Sequence, residues 1–137
     1  MLRFKEETMS DTCTILILDD EPIVGERLKS LLLKDGHMVE VFTDPLMAVH
    51  RMEEQVFDIV ISDIRMREMD GIQVMNHVFQ KSKQTKVILI TGYATLELAR
   101  ESLTKGAFDF IAKPFKSKEI RTIIKRAVET IKNEKAK

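Results

Sequence analysis

Cysteine is nearly absent from this chain: Cys13 is the single one in 137 residues, so no internal disulfide can form. Its place in the first apolar run reads as a small buried hydrophobe rather than a nucleophile. Long hydrophobic runs are lacking as well. The opening MLRFKEETMSDT holds no apolar stretch of signal-peptide length, and no window approaches the roughly 20 apolar residues of a membrane span, so a cytoplasmic protein without membrane contact is expected. Neither sign of charge is in excess. With 22 basic and 22 acidic residues and a net charge of +0, there is no global field to draw nucleic acid or anionic lipid, and direct nucleic-acid binding is not expected. The glycine-rich phosphate cradles are missing too: neither GxxxxGK followed by Ser or Thr nor GxGxxG occurs, so direct use of ATP or a dinucleotide has no footing.

What is present is an alternation of short β-rich apolar runs with amphipathic stretches, the pattern of βα units around a parallel sheet. No linker, repeat or low-complexity tract divides it. Residues 1–12 read as a flexible leader, 13–132 as one folded domain and 133–137 as a polar tail. Strands are expected at about 14–18, 38–42, 58–62, 86–90 and 108–112. Between and after them, helical spacing puts Val24, Leu28, Leu31 and Leu32 on one face, then Ala48, Val49 and Met52, then Ile72, Met75, Val78 and Phe79, then Leu96, Ala99 and Leu103. The last helix repeats Ile120, Ile123, Ile124, Ala127, Val128 and Ile131 and is the clearest amphipathic pattern in the chain.

Four apolar runs end in reactive polar groups: TILIL in Asp19-Asp20-Glu21, FDIVIS in Asp63, KVILI in Thr91 and FDFIA in Lys113. Parallel strands would carry all of them to one carboxyl edge, where open α/β sheets place their sites. Crowded carboxylates repel by about 4 kcal/mol per adjacent pair at an effective dielectric of about 20. Compensation is needed, and hard oxygen ligands suit magnesium, with Lys113 as a second positive charge. The set fits phosphoryl transfer, with Asp63 as nucleophile, Asp19 and Asp20 on the metal, and Thr91 and Lys113 as the clamp on the developing charge.

The motifs ILILDDEP, DIVISDIRMREMDG, VILITGYA and GAFDFIAKPF together resemble the receiver domain of bacterial two-component response regulators, over nearly the whole chain from Thr14 to about Ile131. The stretch from Ile90 to Phe115 looks most like the nitrogen-regulation-type subgroup. The resemblance implies an α/β, flavodoxin-like doubly wound (βα)5 fold with a five-stranded parallel sheet in the order 2-1-3-4-5. It implies that Asp63 accepts a phosphoryl group from a phosphohistidine on a sensor histidine kinase or phosphotransfer protein. It makes Asp20, Asp63 and the backbone carbonyl of Arg65 ligands of Mg2+, with Asp19 acting mainly through a water of the magnesium shell. Thr91 and Phe110 become the switch pair, in which the hydroxyl moves toward the phosphoryl group and the ring turns into the vacated space. A cis bond is implied at Lys113-Pro114, and a downstream protein or a second copy of the chain is expected to meet the fourth helix, fifth strand and last helix. Arg65 and Tyr93 flank the route of the hydrolytic water and are expected to tune the lifetime of the phosphorylated state. Arg67 departs from the family, standing where many receivers have proline. On this reading the chain catalyses only its own phosphorylation and autodephosphorylation and turns over no external substrate; a constitutive interaction module of the same fold is the alternative. A free-standing phosphatase would want an acid two residues beyond Asp63, where Arg65 stands, and a flavodoxin-like carrier would find its flavin phosphate repelled by the DDE loop.

Other features read as structural. His37, His50 and His77 lack metal-site spacing and are expected at the surface or in helix packing. The eight methionines fall mostly within apolar periodicities and are expected to fill the core. Lys116, Lys118, Arg121, Lys125, Arg126 and Lys132 make the outer side of the last helix basic, a solvated face on the plainest reading.

Overall fold

In the computed structural model, which describes residues 11–136, each apolar run becomes a strand because its β-branched residues fill both faces of a sheet that helices cover on both sides. The strands are β1 (Thr14–Leu18), β2 (Met38–Phe42), β3 (Ile59–Asp63), β4 (Lys86–Thr91) and β5 (Asp109–Ala112). All pair in parallel in the order β2-β1-β3-β4-β5. The helices are α1 (Pro22–Lys34), α2 (Pro45–Glu54), α3 (Gly71–Lys81), α4 (Leu96–Thr104) and α5 (Ser117–Ala136), with a 3-10 turn at Tyr93–Thr95 leading into α4. Among the described residues no helix is long and apolar enough to cross a membrane.

The two-residue period of a strand divides the core into two layers. Ile15, Ile17, Ile59, Ile61, Ile88, Ile90 and Ile111 face one way and meet Leu28 and Leu32 of α1 and Ile120, Ile124 and Ala127 of α5. Leu16, Leu18, Val60, Val87 and Leu89 face the other way and meet Ala48 and Met52 of α2, Val74, Met75 and Val78 of α3, and Ala99 of α4. β3, central and buried at all five positions, anchors both layers.

Several boundaries differ from expectation. The leader expected over residues 1–12 lies, up to residue 10, outside the described residues. Residues 133–136, read as a tail, continue α5. Asp58 does not open β3; its carboxylate accepts the Thr14 N–H at 2.9 Å and the Thr14 hydroxyl at 3.2 Å, clasping the start of β1. On α4, Leu103 is exposed and Ser102 takes the buried position. A serine fits there because its hydroxyl donates to the Ala99 carbonyl at 2.6 Å, which leaves no unpaired polar atom between helix and sheet.

His37 is buried rather than at the surface, and it lines a hollow with Ile124 and Val128 of α5. It precedes β2, and its Nδ1 accepts the Cys13 N–H at 3.2 Å, so that nitrogen must carry no proton. Burial holds its pKa below the ordinary value, against the pull of Asp35 and Asp11. A depressed folded pKa means that the unfolded chain takes the proton first. The stability due to neutral His37 is therefore complete above about pH 6.5 and is lost as acid passes down through the lower folded value. In urea unfolding, His37→Gln, which keeps an acceptor and does not titrate, should lose less stability than the parent between neutral pH and pH of about 5, by about 1.4 kcal/mol for each unit of depression. Equal losses in the two proteins would remove His37 from the account.

Cys13 is buried beside it, and burial, with the nearby Asp58 carboxylate, pushes its thiol up to about 11. On the basic side of α5 three side chains are paired: Arg121 grips Asp35 at 2.9 and 3.1 Å, Lys132 reaches Asp11 at 2.9 Å, and Arg126 bonds Asp109 while lying 5.3 Å from the centre of the Phe108 ring.

Candidate functional site

Parallel pairing carries the carboxyl ends of β1, β3, β4 and β5 to one rim, and the reactive groups follow. Asp19, just past β1, is fully buried; its Oδ1 accepts the Glu21 N–H at 2.8 Å, which fixes the turn into α1. Asp63 is the last residue of β3 and is also buried. Lys113 follows β5, where the Lys113-Pro114 bond is cis. From there its ammonium bridges three acids, with Nζ at 2.8 Å from Glu21 Oε1, 3.2 Å from Asp63 Oδ2 and 3.4 Å from Asp19 Oδ2. Asp20 stays exposed at the mouth.

The loop after β3 is set by the start of α3. Asp70 caps that helix, accepting the Gln73 N–H at 2.8 Å while the Gln73 side chain accepts the Asp70 N–H at 2.9 Å. Gly71 then packs against the end of β3 so tightly that a Cβ there would stand 2.5 Å from the Asp63 carbonyl oxygen.

The electrostatics show one cation set against too many acids. Desolvation pushes the Asp19 carboxyl up to about 6, opposed by the hydrogen bond from Glu21, and the neighbouring Asp63 charge adds to the rise. Burial likewise raises Asp63, against the pull of Lys113. For Lys113, burial disfavours the ammonium, but the Glu21 hydrogen bond and the Asp19 and Asp63 charges together outweigh it and hold its pKa above the usual lysine value. Protonated Lys113 is thus certain at neutral pH, and it does not satisfy the site.

One carboxylate oxygen from each of Asp19, Asp20 and Asp63 lies within 4.8 Å of the others. Asp19 Oδ2 is buried and makes no hydrogen bond, and Lys113, 3.4 Å away, is the cation beside it. Hard oxygen donors, excess negative charge and an orphaned buried carboxylate oxygen fit a small divalent cation such as Mg2+.

The structure brings Asp19, Asp63 and Lys113 into contact. Thr91, at the end of β4, is buried on the same rim, but its hydroxyl is occupied by the Thr95 hydroxyl at 2.6 Å and the Gly92 carbonyl at 3.0 Å. Phe110 is half-buried in β5, paired in register with Leu89. Arg65 and Tyr93 are exposed, Tyr93 almost completely. Sequence reasoning assigned no role to Glu21, Gly71 or Thr95. The DDE run held the signal for Glu21, the Asp-Gly step in the loop after β3 held that for Gly71, and a second threonine one helical turn beyond Thr91 held that for Thr95.

The family model of the response regulator receiver domain matches residues 15–125. Among curated proteins, the regulatory protein AtoC of Escherichia coli (strain K12) is 38% identical over 115 residues, covering 84% of this chain and 25% of AtoC. The response regulator protein TodT of Pseudomonas putida is 32% identical over 122 residues, covering 88% of this chain and 54% of TodT. The chain thus spans about a quarter of one relative and about half of the other. Among solved structures, a response regulator receiver domain protein from Clostridium thermocellum superposes with a TM-score of 0.83 at 26% identity, covering 87% of this chain and 96% of that one. NtrX from Brucella abortus gives 0.85 at 27% identity, over 91% of this chain and 28% of NtrX. Strand order, acidic rim and sequence likeness agree with the nitrogen-regulation-like resemblance, and the chain belongs to the family of response regulator receiver domains.

Proposed function

We propose that this domain is a phosphorylation-dependent switch whose acceptor is Asp63. The observation that carries the reading is the Lys113 ammonium bridging Asp63 and Asp19 at 3.2 and 3.4 Å beside a third carboxylate, a site short of positive charge. In the forward step an Asp63 carboxylate oxygen attacks phosphorus of a donor phosphohistidine; the O–P bond forms as the P–N bond breaks, and the electron pair returns to the imidazole ring. Lys113, already in contact with Asp63, would hold the equatorial oxygens as negative charge shifts onto them. Asp20, Asp63 and the Arg65 carbonyl would hold Mg2+, with Asp19 in its outer sphere, and the ion would supply charge neutralisation across acceptor and phosphoryl oxygens. Arg65 and Tyr93, both exposed, would govern the approach of water to the phosphorylated carboxylate.

Once phosphorylated, Asp63 offers the Thr91 hydroxyl a charged partner. The shift of Thr91 and Phe110 would be read on the α4-β5-α5 face by a downstream protein or a second copy of the chain. A sensor histidine kinase or phosphotransfer protein in the cytoplasm would be the donor.

Incubation with acetyl phosphate and Mg2+, read by intact mass, tests the reading. The expected result is a single phosphoryl adduct that fails to form when the metal is chelated. An unchanged mass would overturn the switch and favour a constitutive interaction module of the same fold.

A further inference from the structure

The hydroxyl meant to receive a phosphoryl oxygen is already engaged. Thr91 Oγ1 and Thr95 Oγ1 lie 2.6 Å apart, both residues buried. The Gly92 carbonyl accepts from Thr91 at 3.0 Å, and the Gly92 N–H donates back to Thr95 Oγ1 at 3.2 Å. Two hydroxyls and both backbone polar groups of Gly92 thus form a closed polar knot at the carboxyl end of β4. Thr95 also ends the 3-10 turn and precedes the first residue of α4. The bond that holds Thr91 therefore also fixes where α4 begins.

A hydroxyl has one proton to donate. In the resting arrangement that proton goes to the Gly92 carbonyl or to Thr95, and in both cases the 2.6 Å contact holds Thr91 at Thr95; a Thr91 drawn toward a phosphoryl oxygen on Asp63 must leave that contact. We propose that Thr95 is a positioning residue that sets the threshold of the switch: its hydroxyl stabilises the unphosphorylated arrangement by competing with the phosphoryl group for Thr91, and its release frees the start of α4. This rests on the phosphoryl-switch reading above. No orphan is created when Thr95 loses its hydroxyl, because Thr91 keeps the Gly92 carbonyl and Gly92, half-exposed, can bond water.

A ligand that prefers one state binds more tightly when the other state is weakened, by the same factor. Thr95→Val, close in shape and lacking the hydroxyl, removes about one hydrogen bond from the resting state, worth about fivefold in the equilibrium. Titration with beryllofluoride at fixed magnesium, a stable mimic of the phosphoryl group, should therefore show about fivefold tighter binding by Thr95→Val. Thr95→Ser, which restores the hydroxyl, should bind like the parent. In a Thr91→Ala background the Thr95→Val effect should vanish, which a merely structural loss at the start of α4 would not produce. Thr95→Ala stands in if valine impairs folding, as judged by urea unfolding. Unchanged or weaker binding by the hydroxyl-less variants, with the parent binding normally, would overturn the role of Thr95. A parent that fails to bind would instead overturn the switch reading itself, and this inference with it.

Discussion

Asp63→Asn will take up no phosphoryl group from acetyl phosphate and magnesium, and it will be more stable than the parent when metal is absent. The first result follows because an amide oxygen is a poor nucleophile toward phosphorus and no other carboxylate takes its place: Asp19 is buried with one oxygen committed to the Glu21 N–H, Asp20 stands outside the Lys113 bridge, and Glu21 is an exposed side chain paired with Lys113. The second follows from the direction of the Asp63 pKa. Burial raises it despite Lys113, so ionising Asp63 costs more in the folded protein than in the unfolded chain. An uncharged isostere removes that cost and the repulsion between Asp63 and its acidic neighbours, while Lys113 keeps Glu21 and Asp19. A higher urea midpoint than the parent's is expected without metal. Magnesium should reverse the ranking, since an ion held by the folded state alone stabilises the parent by mass action. A variant that keeps the adduct, or is less stable than the parent in chelator, would contradict the assignment.

Gly71→Ala should damage both stability and chemistry, although a table of helix propensities predicts the opposite. Alanine in place of glycine favours a helix by about 1 kcal/mol. The new methyl, however, would lie 2.5 Å from the Asp63 carbonyl oxygen and 2.9 Å from the Ile64 Cα, and both are backbone atoms that cannot swing away. Overpacking of this kind costs about 1–3 kcal/mol, more than the propensity gain. Relief requires the start of α3 to move off the end of β3, breaking the 2.8 Å bond from the Gly71 N–H to the Ile64 carbonyl or displacing Asp63 itself. A displacement of about 1 Å can slow a reaction about a hundredfold. We expect a lower urea midpoint and adduct formation slowed by at least about tenfold. A variant as stable and as fast as the parent would show that the contact is relieved without cost.

Much of the site was legible because it hangs on regular elements. Alternating apolar runs located β1, β3, β4 and β5, and a parallel sheet leaves little freedom in where the next polar residue goes, so Asp19, Asp63, Thr91 and Lys113 were found at its rim. What escaped depended on side-chain reach and helix rotation. Glu21 meets Lys113 only because the turn after β1 folds back over the rim. Thr95 meets Thr91 because a 3-10 turn is inserted before α4, bringing residues four apart into contact. On α4 itself the spacing of Leu96, Ala99 and Leu103 suits a buried stripe, yet a helix lying close to the sheet through Ala99 and Ser102 turns Leu103 outward. Periodicity reveals which face is apolar; contact distance decides which part of that face is covered.

The chain's sole thiol offers an experimental convenience. Cys13 lies buried just before the first strand with its proton held until strongly alkaline pH, so maleimide and other thiolate-seeking reagents should pass it by in the native protein. A cysteine introduced at exposed Tyr93 or Leu98 would then be the one labelled position, and a fluorophore or spin probe there could follow the start of α4 in real time without first engineering away the native sulfur.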